Sequence, residues 1–362
     1  MDYFFTQALT DICERSLVSP DRPLRCLIIV NPAAGGYVIQ SRWDNRIKIL
    51  TKYRDKAQSN PKRSIYKSVL MNLTEGKGSA GEITKALIDR AEKDTIPFYL
   101  IISAGGDGTH CEVMHALYDA PANVLSNMAV LRLPMGTGND GAESASMEKA
   151  LDLLINPTHV EYASAVQLIT AKGGSSRWKG PFLAFNILSV GLDAYVTHMT
   201  NNMKGKTPGD SYRLWIDIAT LFYERKYKVG FFNVHAFDDK NKEVLSFNEK
   251  LLLLAMGVSG NRTYGSQQRI LPNECNVCGI KKMSFLKKLG IKGKVSKGKH
   301  TSDQNVISLN AHRLEFKVNH PILAQMDGEA ILLQPDDFPA VMELTPPKIP
   351  LLKLGEELLT EA

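Results

Sequence analysis

Three short apolar runs in the first half of the sequence each lead into a glycine-rich loop, and this pattern constrains the fold more strongly than any other feature. The loops read N-P-A-A-G-G at 31–36, A-G-G-D-G-T at 104–109 and P-M-G-T-G-N-D at 134–140. The three runs that lead into these loops are at 24–30, 98–103 and 128–133, and a fourth apolar run lies at 64–71. Segments of helical composition or spacing lie between the runs, at 39–56, 80–93 and 112–118. This alternation is typical of βαβ units, so it predicts a three-layer α/β domain with a parallel sheet and helices on both faces.

The three loops are predicted to share one edge of the sheet, because the carboxyl ends of parallel strands lie together and ligands bind there in such folds. Glycine lets backbone N–H groups come close to a ligand, and a following helix adds the positive end of its dipole. A single glycine after a strand is explained equally well by an ordinary tight turn. Three such loops on one edge, two of them with an aspartate, favour a site for a polyphosphate ligand.

Other nucleotide signatures fit less well. A P-loop pattern is nearly present at Gly205-Lys206-Thr207, but position 200 is Thr and the stretch lies in the strand-rich half of the chain. Protein-kinase signatures are absent. A dinucleotide fingerprint occurs at 136–141, with Glu161 twenty residues further on, but such a fingerprint usually opens the first βα unit rather than a fourth. A Rossmann-type dinucleotide enzyme is therefore the weaker alternative.

The second half of the chain has many strand signals and few helices. Helical spacing at 146–155 stops at Asn156-Pro157, a combination that ends helices. Strand signals follow at 160–170, 181–190, 229–237, 250–258, 312–318, 322–325 and 330–333, with helical signals at 192–203 and 212–224. Strands without crossover helices predict a mainly antiparallel β-sandwich domain. The predicted division is an N-terminal helical extension at 1–23, a nucleotide-binding α/β domain at 24–156, a β-sandwich domain at 157–336, and a C-terminal tail at 337–362 that packs back on the first domain.

Composition places the chain among ordinary globular proteins. Of its 362 residues, 44% are hydrophobic and 23% charged, which excludes wholesale disorder.

No apolar run reaches the roughly 18 residues that span a bilayer. The N-terminus carries Asp2, Asp11 and Glu14 and lacks a basic region before an apolar core, so no signal peptide is expected. Five cysteines fit a reducing compartment, and the expected location is cytoplasmic.

The ordered set of loop motifs resembles the diacylglycerol kinase catalytic-domain family, which includes bacterial lipid kinases and the sphingosine and ceramide kinases. The family hallmarks are an N-P-x-x-G first loop, a G-G-D-G-T second loop followed by E-V, and a P-x-G-T-x-N-D third loop. Here they stand at 31–35, at 105–109 with 112–113, and at 134–140. Thr74 with Gly78 looks like a weaker family feature, and G-L-D-A at 191–194 and D-G-E at 327–329 resemble later motifs.

This resemblance implies a fold, a reaction and a set of site residues. The family fold is an α/β nucleotide domain followed by a β-sandwich domain, with the active site between them. ATP is the usual phosphoryl donor, Mg²⁺ the metal cofactor and a lipid hydroxyl the acceptor, so the resemblance implies an ATP-dependent lipid kinase. It assigns catalytic roles to Asp107 and Glu329, the latter as general base. Independently of the resemblance, Asp107 and Asp140 are carboxylates on adjacent loops and can hold Mg²⁺. The implied nucleotide contacts are Asn31, Pro32, Gly35, Thr74, Gly105, Gly106, Asp107, Gly108, Thr109, Glu112, Gly136, Thr137 and Asn139.

Elementary chemistry agrees with these roles. Phosphoryl transfer needs charge neutralisation and positioning, which carboxylate-bound Mg²⁺ supplies. An acid such as Glu329 can accept the proton of an attacking hydroxyl. Without the resemblance, however, Glu329 is explained as an ordinary turn residue of a D-G-E hairpin.

Several positions depart from the family pattern. Cys111 stands where the family usually has Asn before E-V, and G-A-E at 141–143 replaces an aromatic residue, Ala and Arg. Val277 and Cys278 occupy positions where bacterial members often carry the acids that support a structural Mg²⁺. We therefore expect no structural metal in the second domain. The C-x-x-C pair at 275–278 has no further zinc ligands at matching spacing, so these cysteines are interpreted as ordinary thiols.

A lysine-rich stretch accounts for the net charge of +6. Eight lysines occur without an acid between Gly279 and Ser302, namely Lys281, Lys282, Lys287, Lys288, Lys292, Lys294, Lys297 and Lys299. Phe285, Leu286, Leu289 and Ile291 lie between them, which favours a basic amphipathic segment that contacts a membrane surface. A solvated loop and a nucleic-acid patch are the alternatives, the latter disfavoured because no aromatic-rich strand set accompanies it.

Other functions stay open from the sequence. NAD kinases share the G-G-D-G-T loop and act on a soluble acceptor, but their adenosine-binding Asn-Glu pattern is not found. A non-catalytic nucleotide-binding module is kept open by the changes at Cys111, Val277 and Cys278. The expected partners are a lipid substrate at a membrane surface and no nucleic acid. A homo-oligomer and the identity of the lipid are left open.

Overall fold

The structure, a computed structural model, describes residues 3–63, 68–136, 139–140, 146–172, 182–203, 223–265 and 268–355. Contacts divide the chain into two units. The first takes Met1–Ala163 and Pro347–Ala362, and the second takes Ser164–Pro346. Each unit has its own hydrophobic core.

The first unit is built on a six-stranded sheet. Its strands are β1 (Leu24–Val30), β2 (Ser68–Leu73), β3 (Phe98–Gly105), β4 (Met128–Pro134), β5 (Thr158–Ala163) and β19 (Ile349–Leu354). Their order is β2-β1-β3-β4-β19-β5, and all neighbours pair in parallel except β19 and β5, which are antiparallel. The helices are α1 (Tyr3–Cys13), α2 (Gly35–Val38), α3 (Gln40–Ala57), α4 (Ser79–Lys93), α5 (Asp107–Tyr118), α6 (Ala122–Leu125) and α7 (Met147–Ile155). The predicted parallel α/β domain is confirmed.

Helices cover both faces of this sheet, which is why its central strands are almost entirely apolar. All eight residues of β3 are buried. Because successive side chains alternate between faces, Leu100 and Ile102 pack in one cluster with residues of α1, α3 and α7. The other face is covered by α5, which contacts β3, and by α4 beside it. Helix α1 buries Phe5 and Leu9 in the first cluster, so it is an integral part of this unit.

The second unit is mostly antiparallel sheet. Its strands are β6 (Val166–Ile169), β7 (Phe182–Ala184), β8 (Ile187–Gly191), β9 (Phe231–Phe237), β10 (Glu243–Gly257), β11 (Arg262–Tyr264), β12 (Gln268–Leu271), β13 (Val277–Lys281), β14 (Val306–Leu309), β15 (Arg313–Lys317), β16 (Ile322–Met326), β17 (Glu329–Leu333) and β18 (Ala340–Leu344). Its helices are α8 (Leu192–Met203), α9 (Tyr223–Lys226) and α10 (Phe285–Ser296), with a 3₁₀ turn at Pro335–Asp337. Strand β10 pairs with β9 through its first half and with β8 and β13 through its second half. The mainly antiparallel second domain is confirmed.

The structure corrects the predicted boundaries. The first boundary lies after Ala163, not near Asn156, because β5 pairs with β19 in the first sheet. The stretch at 160–170 is two strands rather than one, since β5 and β6 belong to different sheets. The predicted tail at 337–362 also divides: β18 pairs with β15 and β6 in the second unit, and β19 lies in the first sheet.

Two sequence predictions fall partly outside the described residues. The predicted strand at 64–71 is described only from Ser68 onward, and the predicted helix at 212–224 only at its last two positions. Within the described part of the chain, no helix is long and apolar enough to span a membrane.

Candidate functional site

The structure brings the first two glycine-rich loops together at the carboxyl edge of the first sheet. The backbone N–H of Asn31 donates to the carbonyl of Ala104 at 3.1 Å. The Asn31 side chain donates from Nδ2 to Oγ1 of Thr109 at 3.0 Å and accepts from the N–H of Ala33 at 3.0 Å. Asn31 is therefore a link between the loops as well as the first residue of its own turn. Pro32 is exposed next to it, and Gly35 begins α2.

The third loop closes against the other two. The N–H of Gly36 donates to the carbonyl of Met135 at 2.7 Å, and the N–H of Met135 donates to the carbonyl of Gly105 at 2.9 Å. A Cβ atom on Gly136 would lie 2.7 Å from Cα of Gly106, so the contact between these loops requires glycine at 136. The three loops thus form one continuous backbone surface, which we call the loop edge.

Asn139 shapes the third loop from within. It has a positive φ of 52°, a conformation that Asn tolerates better than most residues. Its side chain accepts from the N–H of Gly136 at 2.8 Å and donates to the carbonyl of the same residue at 3.0 Å. The predicted nucleotide contact Thr137 lies outside the described residues, as do Gly138 and 141–145.

Asp107 is the first residue of the twelve-residue helix α5, with Gly106 as its N-cap. Gly108 is exposed in the first turn, whereas Thr109 is buried under the loop edge. Helix N-termini carry unpaired N–H groups and a positive partial charge, and they bind anions when the approach is open. The second loop therefore places both a carboxylate and an anion-binding helix end at the same point.

Arg132 of β4 is a candidate site residue that the sequence patterns did not predict. Its Nη2 donates to Oδ1 of Asp107 at 2.7 Å, and its Nη1 donates to the backbone carbonyl of Asp140 at 2.7 Å. Only 4% of the Arg132 side chain is exposed, against 38% of Asp107. The sequence feature that could have pointed to Arg132 is that it is the single charged residue in an otherwise apolar strand. A buried guanidinium in such a strand needs acceptors, and here the second and third loops supply them.

His110 lies one turn along from the Asp107 carboxylate. Burial, together with the smaller effect of the neighbouring Arg132 guanidinium, lowers the pKa of this imidazole to about 3. His110 is therefore neutral at neutral pH and leaves Arg132 as a strong local cation beside Asp107.

Thr74 and Glu112 lie on the side of the loop edge formed by β2 and α4. The N–H of Thr74 donates to the carbonyl of Val30 at 2.8 Å, which holds the end of β2 beside the end of β1. The Glu112 carboxylate accepts from the N–H of Gly78 at 2.8 Å and from that of Ala80 at 3.1 Å. Glu112 thus caps the start of α4 with its side chain, and this contact fixes α4 on α5.

Glu329 lies in the second unit, at the start of β17. It follows a two-residue hairpin loop in which Asp327 has φ of 46° and Gly328 has φ of 103°, the pattern of a type I′ turn. The Asp327 carboxylate accepts backbone N–H groups from Asn186 and Ile187, each at 3.1 Å, and from Phe185. The turn is therefore anchored to the chain before β8, while the Glu329 side chain is exposed.

A buried polar network supports this turn. Gln325 is fully buried, and its Nε2 donates to Oγ of Ser189 at 2.9 Å and to Oδ2 of Asp193 at 3.3 Å. Its Oε1 accepts from the N–H of Gly328 at 3.1 Å, and Ser189 donates to Asp193 at 2.7 Å. The G-L-D-A and D-G-E motifs are thus joined through one side chain.

The two units differ in the side chains that they offer to a metal ion. Among the residues that the structure describes, no group of three or more His, Cys, Asp or Glu side chains is close enough to hold a metal. Val277 and Cys278 are buried in β13, and burial raises the pKa of the Cys278 thiol to about 12. Mg²⁺ that arrives with a nucleotide needs only one or two carboxylates besides the phosphates. Asp107, with a partly exposed carboxylate, fits that requirement, and Asp140 lies on the next loop, where its backbone carbonyl accepts from Arg132.

Comparison with known proteins agrees with these features. Residues 25–170 match the family model of the diacylglycerol kinase catalytic domain, which confirms the predicted resemblance. A diacylglycerol kinase of Bacillus subtilis (strain 168) is 24% identical over 323 residues, covering 87% of this chain and 92% of that relative. This homology supports a lipid kinase-like function.

Solved structures show the same fold. A diacylglycerol kinase structure from Bacillus anthracis str. Sterne matches with a TM-score of 0.53 at 13% identity, over 90% of this chain and 96% of that chain. A second structure from that organism gives a TM-score of 0.57 at 16% identity, over 90% and 94% of the two chains.

Proposed function

We propose that this protein is an ATP-dependent lipid kinase that transfers the γ-phosphate of ATP to the hydroxyl of a diacylglycerol-like or sphingoid lipid. The observation that carries the proposal is the loop edge, where three glycine-rich loops meet around the N-terminus of α5 and the Arg132–Asp107 ion pair. The homology to diacylglycerol kinases supports the same reaction class. Such a function would place the protein in lipid metabolism, including phospholipid biosynthesis, in the cytoplasm and at membrane surfaces.

In this proposal the loop edge binds the nucleotide phosphates. Gly105 and Gly136 let the loops pack closely, while Gly108 is exposed with open space beside it, so phosphates can approach the first turn of α5. Arg132 holds the Asp107 carboxylate in one orientation, because its guanidinium is itself fixed by the Asp140 carbonyl. Asp107 and Asp140 would hold Mg²⁺, which when bound neutralises charge on the phosphates.

Glu329 is proposed to handle the acceptor. Its carboxylate takes the proton of the lipid hydroxyl, and the hydroxyl oxygen forms a bond to the γ-phosphorus. The bond from that phosphorus to the β–γ bridging oxygen breaks, and ADP leaves. A general base needs a fixed position within hydrogen-bond reach of the proton it accepts. The anchored turn of Asp327 and Gly328 gives Glu329 a fixed position within its own unit.

The test is an acceptor panel with the full-length protein and ATP labelled at the γ-phosphate. Vesicles carry diacylglycerol, a sphingoid base, ceramide or phosphatidylglycerol, and NAD serves as the soluble acceptor. We expect label in one of the lipids and none in NAD. In Glu329→Gln, transfer to that lipid should fall by at least about a hundredfold, in the range seen for loss of general-base catalysis.

Two outcomes would contradict the proposal. Label in NAD alone would indicate an NAD kinase-like enzyme. Binding of ATP without label in any acceptor would indicate a non-catalytic nucleotide-binding module.

A further inference from the structure

We infer that α10 and the lysines around it form a docking surface for an anionic lipid bilayer. The inference deepens the proposed function, since it rests on a lipid acceptor that the enzyme must meet at a membrane. The surface consists of Phe285, Leu286 and Leu289 together with the exposed lysines Lys282, Lys287, Lys292, Lys294, Lys297 and Lys299. We call it the α10 surface.

The apolar part of the α10 surface is unusual for a side that faces water. Phe285 is 50% exposed, Leu286 78% and Leu289 45%. These side chains occupy the first half of the helix, and residues four apart lie on the same face of a helix. The opposite face of α10 buries Ile291 among core residues such as Ile270. The helix therefore has a core-facing side, and its three large apolar residues are on the other.

Ion pairs at the base of the surface separate structural lysines from outward ones. Lys281 donates to Glu249 at 2.7 Å, and Lys288, with 12% of its side chain exposed, pairs with Glu224. These two lysines hold the segment to its own unit. Lys282 lies 3.6 Å from Glu224, and Lys294 lies 2.6 Å from Asp303, so these two exposed lysines are partly neutralised. Lys287, Lys292, Lys297 and Lys299 are also exposed, and the sequence has no acid between Gly279 and Ser302.

Apolar insertion together with positive charge matches an anionic bilayer. Interfacial helices place aromatic and aliphatic side chains below the headgroups and lysines at headgroup level. Each lysine that approaches an anionic surface contributes about fivefold in partitioning. A nucleic acid would use the lysines through its phosphates, but it would gain nothing from exposed Leu286 and Leu289. The combination therefore favours lipid over nucleic acid.

The test is co-sedimentation of the full-length protein with vesicles, in the absence of nucleotide. The vesicles are either pure phosphatidylcholine or a mixture with phosphatidylglycerol. One variant changes Lys287, Lys292, Lys297 and Lys299 to Gln, and another changes Phe285, Leu286 and Leu289 to Ser. The matched control variant changes four exposed lysines of the first unit to Gln, namely Lys48, Lys52, Lys85 and Lys93, and so loses the same net charge. All the changed residues are exposed, so we expect every variant to fold. An unchanged melting temperature is the check.

We expect wild-type protein to bind the anionic vesicles at least about tenfold more tightly than the neutral ones. Both α10 variants should lose at least about tenfold in anionic binding, and the control variant should bind like wild type. Binding by wild type should also weaken with salt above about 0.15 M, where the Debye length is roughly 8 Å. The residual binding of the lysine variant should depend less on salt.

Three results would overturn the inference. One is equal binding of wild type and both α10 variants, and another is equal binding to neutral and anionic vesicles. The third is binding to poly(U) RNA, lost only in the lysine variant, with no binding to either vesicle. Because no ATP is present, the result is independent of the kinase assay. Vesicle binding without phosphoryl transfer refutes the proposed function alone, and lipid phosphorylation without vesicle binding refutes the α10 surface alone.

Discussion

Arg132 Nη2 lies 2.7 Å from Oδ1 of Asp107, so the aspartate of the second glycine loop is paired with a buried arginine of the next strand. The same guanidinium reaches the carbonyl of Asp140. Arg132 therefore joins the second and third loops from beneath. The orientation of Asp107 depends on β4 as well as on its own helix.

Replacing this arginine should impair nucleotide use. In Arg132→Met, we expect kcat/KM for ATP to fall by at least about a hundredfold, comparable to the loss of one preorganised donor in an enzyme site. Arg132→Lys should rescue only part of the loss, because an ammonium cannot make the two divergent contacts of a guanidinium. Initial rates at varied ATP measure this.

The matched control for Arg132 is Arg25→Met. Arg25 pairs with Asp94 at 3.0 Å in the same unit but belongs to no glycine loop, so its kcat/KM for ATP should stay near the wild-type value. Equal losses in the two methionine variants would remove the role assigned to Arg132.

The network under the D-G-E turn should affect turnover without affecting nucleotide binding. Gln325→Leu removes the hydrogen bonds to Ser189 and to the N–H of Gly328, leaving buried partners unpaired at a cost of about 1–3 kcal/mol in stability. We expect kcat to fall at least about tenfold while the KM for ATP stays within twofold of wild type, because Glu329 loses its fixed position. Asn201→Ala removes one exposed hydrogen bond to the carbonyl of Gly328 and should have a smaller effect. A rise in KM for ATP with unchanged kcat would contradict this positioning role.

His110 should make the protein less stable in mild acid. Burial lowers its pKa to about 3 in the folded state, below the value of about 6.5 for an unfolded chain. The unfolded state therefore binds more protons between these two values, and stability rises with pH across that window. At pH 5 the expected loss relative to neutral pH is at most about 2 kcal/mol from this group. Burial also lowers the pKa of His300 and His320, which adds losses of the same sign.

Urea unfolding at pH 7.5 and pH 5 measures this effect. His110→Gln should lose less stability between the two pH values than wild type, whereas His159→Gln, at an exposed position, is the matched control. The same loss in wild type and in His110→Gln would mean that His110 is not a source of the pH dependence.

The second unit should fold without a structural metal. Val277 and Cys278 are buried in β13 and offer no carboxylate, so binding of Mg²⁺ there is not expected to contribute to folding stability. Thermal unfolding in EDTA, without nucleotide, should give the same melting temperature as in Mg²⁺. A melting temperature that is much lower in EDTA than in Mg²⁺ would contradict this prediction and indicate a structural metal site.

Local sequence patterns predicted the layers of both units because hydrophobic periodicity and glycine placement are local signals. The strand at 24–30 and the helix at 192–203 agree with β1 and α8 at both ends. The boundary near Asn156 was misplaced because the pairing of β5 with β19 joins residues far apart in sequence. A Pro after a helix marks the end of that helix but carries no information about which sheet receives the next strand.

The site shows the same division between local and long-range information. Glycine-loop motifs predicted Asp107 and its neighbours as candidate site residues, since each motif is a short run with a local conformation. Arg132 and Gln325 were not predicted, because each acts through residues on other elements: Arg132 through Asp107 and Asp140, and Gln325 through Ser189 and Asp193. The contact of Glu112 with the start of α4 was hidden for the same reason.

The most direct test of the central claim is phosphoryl transfer by Asp107→Asn. This change keeps the size of the side chain and its hydrogen-bonding capacity toward Arg132, but it removes the negative charge at the loop edge. With γ-labelled ATP, Mg²⁺ and the best lipid of the acceptor panel, we expect the folded variant to transfer at least about a thousandfold less label than wild type. Transfer at a near wild-type rate by a variant with the wild-type melting temperature would contradict the assignment of the loop edge as the phosphoryl-transfer site.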